Sequence, residues 1–345
     1  MTTLATVEKI EEILPHGNAD SLEIARVLGW LVIVKKGEFK AGDQCVYVQV
    51  DSILPEKPEF EFLRDRKFRV VTIKLRGVYS QGICFPTSIL PAGAYAAGDD
   101  VTDIVGVTKY EKAAPVEPVA QVKKGFFAKW YSYLRWKTLG LFGYFEPNGS
   151  FPTDIVSKTD EDRIQGCMAR LHFFRGNGCY ATIKHDGTSA TFIRKGKKLR
   201  VCSRNQELSL NEGVYWAMAK KYNMAAIPDG YTVQAEIVGP KIQGNSETLK
   251  EPEIRVFNVY FDRKALSYSD MLLFCGQYNL PMADLYFHGV FEWETVEEIM
   301  AEVAKARYKN GTQAEGLVFR TCEPVNGKYM SFKAVSPEYC FKHGE

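Results

Sequence analysis

The sequence holds no Cys-x-x-Cys pair, no two histidines within a helical turn of each other, no apolar run long enough to cross a bilayer and no excess of either charge. The first two absences exclude the common zinc-ligand spacings among its eight cysteines and five histidines. Thiols scattered singly are those of a protein kept reduced, and a cytoplasmic location is expected. Met1-Thr2-Thr3-Leu4 runs on to Glu8, Glu11 and Glu12 without a basic leader or an apolar stretch, so neither export nor a membrane is expected. The 44 basic and 42 acidic side chains cancel to +2, so any charged partner must be sought in local clusters. No internal repeat or low-complexity tract is present.

What is present is enough chain, 345 residues, for two domains that each bury a core. The first part is poor in helical period and rich in short strands: Leu4 to Ile13, Leu22 to Val27, Trp30 to Lys35, Gln44 to Val50, Phe68 to Leu75 and Gly82 to Phe85. Turn-formers such as Gly17-Asn18, Leu28-Gly29, Ala41-Gly42-Asp43 and Arg76-Gly77 separate them. This spacing predicts an all-β, OB-type (oligonucleotide/oligosaccharide-binding) closed barrel over 1–115. Residues 116–150 form a basic aromatic linker, expected to be helical, in which Phe126, Phe127, Trp130, Tyr131, Tyr133 and Trp136 interleave with Lys123, Lys124, Lys129 and Arg135. Two readings stay open for it: a platform that stacks bases and neutralises phosphates, or an amphipathic helix that docks Phe126, Trp130 and Leu134 on a neighbouring domain.

Residues 151–345 read as α+β, with antiparallel sheets flanked by helices. Strands are expected at 180–184, 189–195, 199–203, 231–238, 254–261, 315–321 and 329–333. Thr159 with Asp162 is expected to cap a short helix through Arg163, Ser209 with Glu212 to open a helix from Gly213 to Asn223, and Thr295 with Glu298 one reaching Tyr308.

The stretch that organises this half is Ala181-Thr182-Ile183-Lys184-His185-Asp186-Gly187-Thr188, a lysine ending a β-branched run with Asp-Gly behind it. A lysine that attacks phosphorus must be neutral, whereas the free amine has a pKa of about 10.4. Burial, a neighbouring cation or a bound metal ion would each favour the neutral form, and a drop of about two pH units amounts to about 2.7 kcal/mol. Gly187 is expected to supply the backbone freedom of a tight turn that keeps Asp186 near the lysine.

Downstream come Ser203-Arg204-Asn205, Gln234-Ala235-Glu236-Ile237-Val238-Gly239, Val256-Phe257-Asn258-Val259-Tyr260-Phe261, Glu315-Gly316-Leu317-Val318-Phe319-Arg320 and Ser331-Phe332-Lys333-Ala334-Val335. In order, type and spacing this set resembles the collinear motifs of the covalent nucleotidyltransferases, the superfamily of DNA ligases, RNA ligases and capping enzymes with an ATP-grasp-like ligase domain. It is most similar to the RNA ligases. Few residues follow Lys333, fewer than the C-terminal OB domain of DNA ligases and capping enzymes needs. An N-terminal OB module, with Asp160-Glu161-Asp162-Arg163 ahead of the lysine, resembles the Deinococcus- and Naegleria-type RNA ligases.

The resemblance implies that Lys184 forms a lysyl-adenylate from ATP and that a 3′-OH RNA end is then sealed to a 5′-phosphate at a nick in duplex RNA or an RNA/DNA hybrid. It implies catalytic roles for Lys184, Lys333, Glu236 and Arg163, and nucleotide contacts from Lys184, Asp186, Arg204, Glu236, Phe257, Glu315 and Lys333. Glu236 and Glu315 would hold Mg2+ or Mn2+, for which carboxylate oxygens are suitable ligands. Arg204 would grip ribose or phosphate with its planar fork, Phe257 would stack on adenine, and Lys333 would offset charge on the α-phosphate. In many RNA ligases the last motif is Lys-x-Lys; here Ser331 stands in the first place, with Lys328 nearby. The tip Arg194-Lys195-Gly196-Lys197-Lys198 is either a solvated hairpin end or a contact to a polynucleotide backbone. The protein is expected to act as a monomer. A GTP-using capping enzyme, a DNA ligase and a non-catalytic nucleic-acid binder remain as alternatives.

Overall fold

The computed structural model describes residues 3–110, 149–159, 161–210 and 213–344. The basic aromatic segment, Asp160 and Glu212 lie outside the described residues. Among the described residues no helix is long and apolar enough to cross a membrane.

The first half is built from short antiparallel ladders whose alternation fixes an inside and an outside. Along Trp30–Lys35, for example, Trp30, Val32 and Val34 are buried and Leu31 and Lys35 exposed. The expected single strand from Leu4 to Ile13 is two strands, Ala5–Lys9 and Glu12–Pro15, in different sheets. Ala5–Lys9 pairs with Gln44–Val48, which pairs with Ile83–Pro86, whereas Glu12–Pro15 pairs with Leu22–Val27 and that strand with Trp30–Lys35. Ser52–Ile53 lies between Arg69–Val70 and Thr108–Lys109, and Ile73–Leu75 and Val78–Ser80 form a separate hairpin. Among the described residues these ladders are separate sheets, and no closed barrel is formed. Between Trp30–Lys35 and Val78–Ser80 no ladder forms, because the Ile33 N–H donates to the Ser80 hydroxyl at 2.9 Å and not to a backbone carbonyl. Single bonds connect the sheets instead, such as Gln81 N–H to the Leu31 carbonyl at 3.0 Å. Two apolar clusters result, one around Val46, Phe60 and Phe85 and one around Trp30, Tyr47 and Cys84.

The second half follows the expected strands closely. A four-stranded antiparallel sheet runs Leu285–Val290, Gly178–Lys184, Gly316–Thr321, Ser331–Val335. A seven-stranded one has Thr188–Lys195, Tyr231–Val238 and Glu253–Phe261 at its centre. The lysine motif is the crossover between them, because Lys184 ends a strand of the first sheet and Thr188 begins one of the second. Helix Val296–Lys305 opens on the expected capping box of Thr295 and Glu298 and buries Val296, Ile299 and Val303 against the four-stranded sheet. It stops at Lys305 instead of Tyr308, since Ala306 turns to an extended backbone. Helix Val214–Lys221 takes Gly213 as its N-cap and ends two residues short of Asn223. No helix forms from Thr159 to Arg163; a 3-10 turn, Ile164–Gly166, follows Arg163, whose own backbone is extended.

The two halves touch through named pairs. Arg163 Nη2 lies 3.3 Å from Asp51 Oδ2, with its guanidinium 5.8 Å from the Trp30 ring. Arg26 pairs with Glu297, and Tyr79 meets Phe341 edge-on at 5.9 Å.

Candidate active site

Lys184 is the last residue of its ladder, opposite Gly316, so Glu315 begins where the two strands part. The geometry brings Lys184 Nζ within 2.5 Å of Glu315 Oε1, with both side chains only partly open to solvent. Glu236 comes from the other sheet, opposite Ser189. Its carboxyl is raised to about 8, first because burial strips water from it; Lys184 opposes this, while Glu315, Asp186 and Glu161 push it higher. Four carboxylates and one lysine therefore share a small volume. Asp186 is hydrogen-bonded by the Tyr339 hydroxyl, whose pKa is raised first by burial and then by that bond.

Gly187 has a different purpose from the one its position in a turn suggests. It is not among the glycines with positive φ, but a Cβ there would lie 2.3 Å from the Ile237 carbonyl and 2.8 Å from Glu236 Cγ. The glycine is needed for space, so that the crossover can lie on the strand that carries Glu236.

Phe257 is the extra residue of a β-bulge: Val256 pairs with Ala235 and Asn258 with Gln234, leaving Phe257 unpaired between them. Bulges re-aim side chains beside functional sites, and Phe257 is half-buried, outside the three apolar clusters of this half. The Arg320 guanidinium lies 5.5 Å from its ring centroid. Arg320 is itself buried, donating to Glu161 Oε1 at 2.6 Å and Asn258 Oδ1 at 3.1 Å.

Lys333 is half-buried in the edge strand, opposite Val318. The segment before the lysine motif runs alongside it: Lys333 N–H donates to the Asp162 carbonyl at 2.9 Å, and Arg163 forms a parallel bridge with Lys333. Arg163 thus lies between the lysine-bearing edge and Asp51 of the first half, and is not a helix-surface arginine. At Ser331 the carbonyl accepts from Arg170 Nη1 at 2.9 Å, whereas Lys328 is exposed in a tight turn. Arg204 is exposed in the turn between strands Lys198–Cys202 and Gln206–Leu208.

Three groups in this site escape sequence reasoning. Glu161 is one of a run of acids, and only the buried Arg320 shows which of them faces inward. Tyr308 and Tyr339 have no local signal at all, since each reaches the site from a distant loop or helix.

Among the described residues no three His, Cys, Asp or Glu side chains form a ready metal cage. A glutamate that burial, with Glu315 beside it, raises to about 8 fits a divalent cation that keeps water and phosphate oxygens in its shell, as magnesium and manganese do. The burial of Glu236 has a thermodynamic sign. A carboxyl whose pKa rises from its usual value to about 8 on folding costs stability progressively as pH climbs between the two. In the ligand-free protein, Glu236→Gln is therefore expected to raise the melting temperature by an amount that grows up to about pH 8 and then levels off, a gain of at least about 1 kcal/mol. Thermal melts of both proteins at pH 5, 7 and 9 check this, and a gain that shrinks as pH rises would contradict it.

The known proteins agree with this arrangement. A family model described as an OB-fold domain matches residues 4–87, and one described as RNA ligase matches residues 179–335. No curated protein matches by sequence. Among solved structures, Naegleria gruberi RNA ligase with pyrophosphate is 30% identical, with 100% of this chain and 99% of that chain covered at a TM-score of 0.82. Lysine-substituted forms of the same enzyme, one with AMP and manganese and one with ATP and manganese, are likewise 30% identical over 99% of each chain at 0.82. With the lysine, the paired glutamates and the bulged phenylalanine all on the matched sheets, the chain belongs to the RNA ligase family and carries an N-terminal OB-fold domain.

Proposed function

We propose that this enzyme uses ATP to seal a 3′-OH RNA end to a 5′-phosphate at nicks in duplexes, through a covalent lysyl-AMP on Lys184. The observation that carries this reading is the 2.5 Å pairing of Lys184 with Glu315, beside Glu236 and at the junction of the two sheets. Lys184 Nζ attacks the α-phosphorus of ATP; the N–P bond forms as the bond to pyrophosphate breaks, and pyrophosphate leaves with the electron pair. AMP then passes to the 5′-phosphate of the RNA, which returns the amine. Finally the 3′-OH attacks that 5′-phosphorus and AMP departs. Each step needs positioned cations and oxygen ligands around phosphorus.

In the resting site Glu315 holds Nζ in place but also favours its charged form. Glu236 and Glu315 would hold the divalent cation, which when bound supplies positive charge that disfavours the ammonium and offsets charge on the α-phosphate. Phe257 stacks on adenine, Asp186 and Arg204 hold the nucleotide, and Lys333 faces the α-phosphate. Residues 1–115, 116–150 and 151–345 are the OB-fold domain, the linker and the adenylylating domain. The Arg163–Asp51 contact supports a role for the first in presenting the nick.

The test offers α-labelled ATP or GTP with manganese, then single-stranded RNA, splinted RNA nicks and nicks with DNA on either side. Label from ATP and sealing fastest at a nick with an RNA 3′-OH are expected. Covalent label from GTP, or RNA binding without any label, would replace this reading with a capping enzyme or a non-catalytic binder.

A further inference from the structure

We infer that Tyr308 is the positioning residue of the nucleophile: its hydroxyl is the rung that holds Lys184 and Glu315 in register where their strands part. The ladder between Gly178–Lys184 and Gly316–Thr321 ends at Lys184 opposite Gly316. Just beyond it the Tyr308 hydroxyl donates to the Lys184 carbonyl at 3.2 Å and accepts from the Glu315 N–H at 3.1 Å. One oxygen therefore links two backbone groups at the point where the strands diverge, and those groups belong to the two partners of the 2.5 Å ion pair.

Tyr308 is itself fixed. It is 3% exposed and packs in the core of the four-stranded sheet. Its ring lies over His185, 6.0 Å away and tilted by 27°. His185, the residue after the nucleophile, is buried with Nδ1 2.7 Å from Glu247 Oε1, while its Nε2 accepts from the Asp284 N–H at 3.3 Å. Glu247 is backed by Arg255 at 3.5 Å. The other face of the Lys184 backbone is tied by Ile183 N–H to the Asp284 carbonyl at 2.8 Å. The long lysine side chain thus starts from a fixed root, and misplacing a reacting atom by about 1 Å can cost about a hundredfold in rate.

The inference rests on Lys184 being the adenylylated lysine, and the experiment separates the two. Single-turnover labelling by α-labelled ATP, at a series of ATP concentrations, is followed for the full-length enzyme, Tyr308→Phe and the control Tyr286→Phe, whose hydroxyl is held instead by Glu302 at 2.8 Å. Tyr308→Phe is expected to lower the maximal rate at least about tenfold with half-saturating ATP unchanged within about twofold, and Tyr286→Phe to leave both in place. A wild-type rate in Tyr308→Phe, or a loss that comes wholly from weaker ATP binding, overturns the inference while leaving the lysyl-AMP reading intact. Absence of label in the unsubstituted enzyme overturns that reading itself. If Tyr308→Phe does not fold, His185→Asn, which removes the ring under Tyr308, must show the same split between rate and half-saturation, and failure to do so counts against the role.

Discussion

Lys184→Ala protein takes up no covalent AMP from α-labelled ATP, a loss of at least about ten-thousandfold. The size follows from the chemistry, since removing the attacking atom of a covalent mechanism removes the step and not just an increment of its rate. Lys184→Arg separates chemistry from packing: the guanidinium keeps its charge and can still pair with Glu315, yet it stays protonated and offers no nucleophile. Both variants are expected to be dead in label uptake, with Lys184→Arg melting close to the unsubstituted protein. Because the lysine is needed only to acquire AMP and pass it on, both should still seal an RNA whose 5′-phosphate already carries AMP. Label on Lys184→Ala would show that the nucleophile is elsewhere; failure on the adenylylated RNA would show that Lys184 is also required for the joining step.

How much of this was legible in the sequence depends on how local each determinant is. The strands around Lys184, Glu236 and Glu315 stood out because they are buried on both faces, which leaves continuous apolar, β-branched runs in the residues themselves, and the pairing of Thr295 with Glu298 is an equally local signal of a helix start. Order and spacing were also enough to single out Phe257, but not to show that a bulge lifts it out of its ladder. What stayed hidden is set by distant partners. The break at Ile10 and Glu11 reads as continuous strand until two separate sheets claim its ends. Arg163 resembles a helix-surface residue among acids until Asp51 and Trp30 of the other half appear beside it. Tyr308 fits the tail of a helical pattern, and only the fold carries it back to the Lys184 carbonyl. Gly187 is the instructive case, since its turn-like context suggests backbone freedom whereas the structure demands bare space.

The same demand is sharper at Gly316, and there it predicts the largest effect on stability. A Cβ at this position would lie 2.2 Å from the Ala334 carbonyl oxygen and 2.9 Å from Val335 Cα, both backbone atoms of the neighbouring strand. No rotamer change relieves such a clash, so Gly316→Ala must push the strand Ser331–Val335 away from Gly316–Thr321 and loosen the ladder in which Lys333 faces Val318. Overpacking of this kind costs about 1–3 kcal/mol, and the upper end applies where backbone is the obstacle. A cost of about 3 kcal/mol corresponds to a fall of roughly 6–12 °C in melting temperature for a domain of this size. Label uptake should fall with it, because the displaced strand carries Lys333 and the residue before the glycine is Glu315. Gly166→Ala is the matched control: a Cβ there meets nothing within 4 Å and the backbone is not left-handed, so it should change stability by less than about 0.5 kcal/mol. Equal melting temperatures for Gly316→Ala and Gly166→Ala would show that the edge strand is free to move. The close approach at the glycine after Glu315 would then have no energetic meaning.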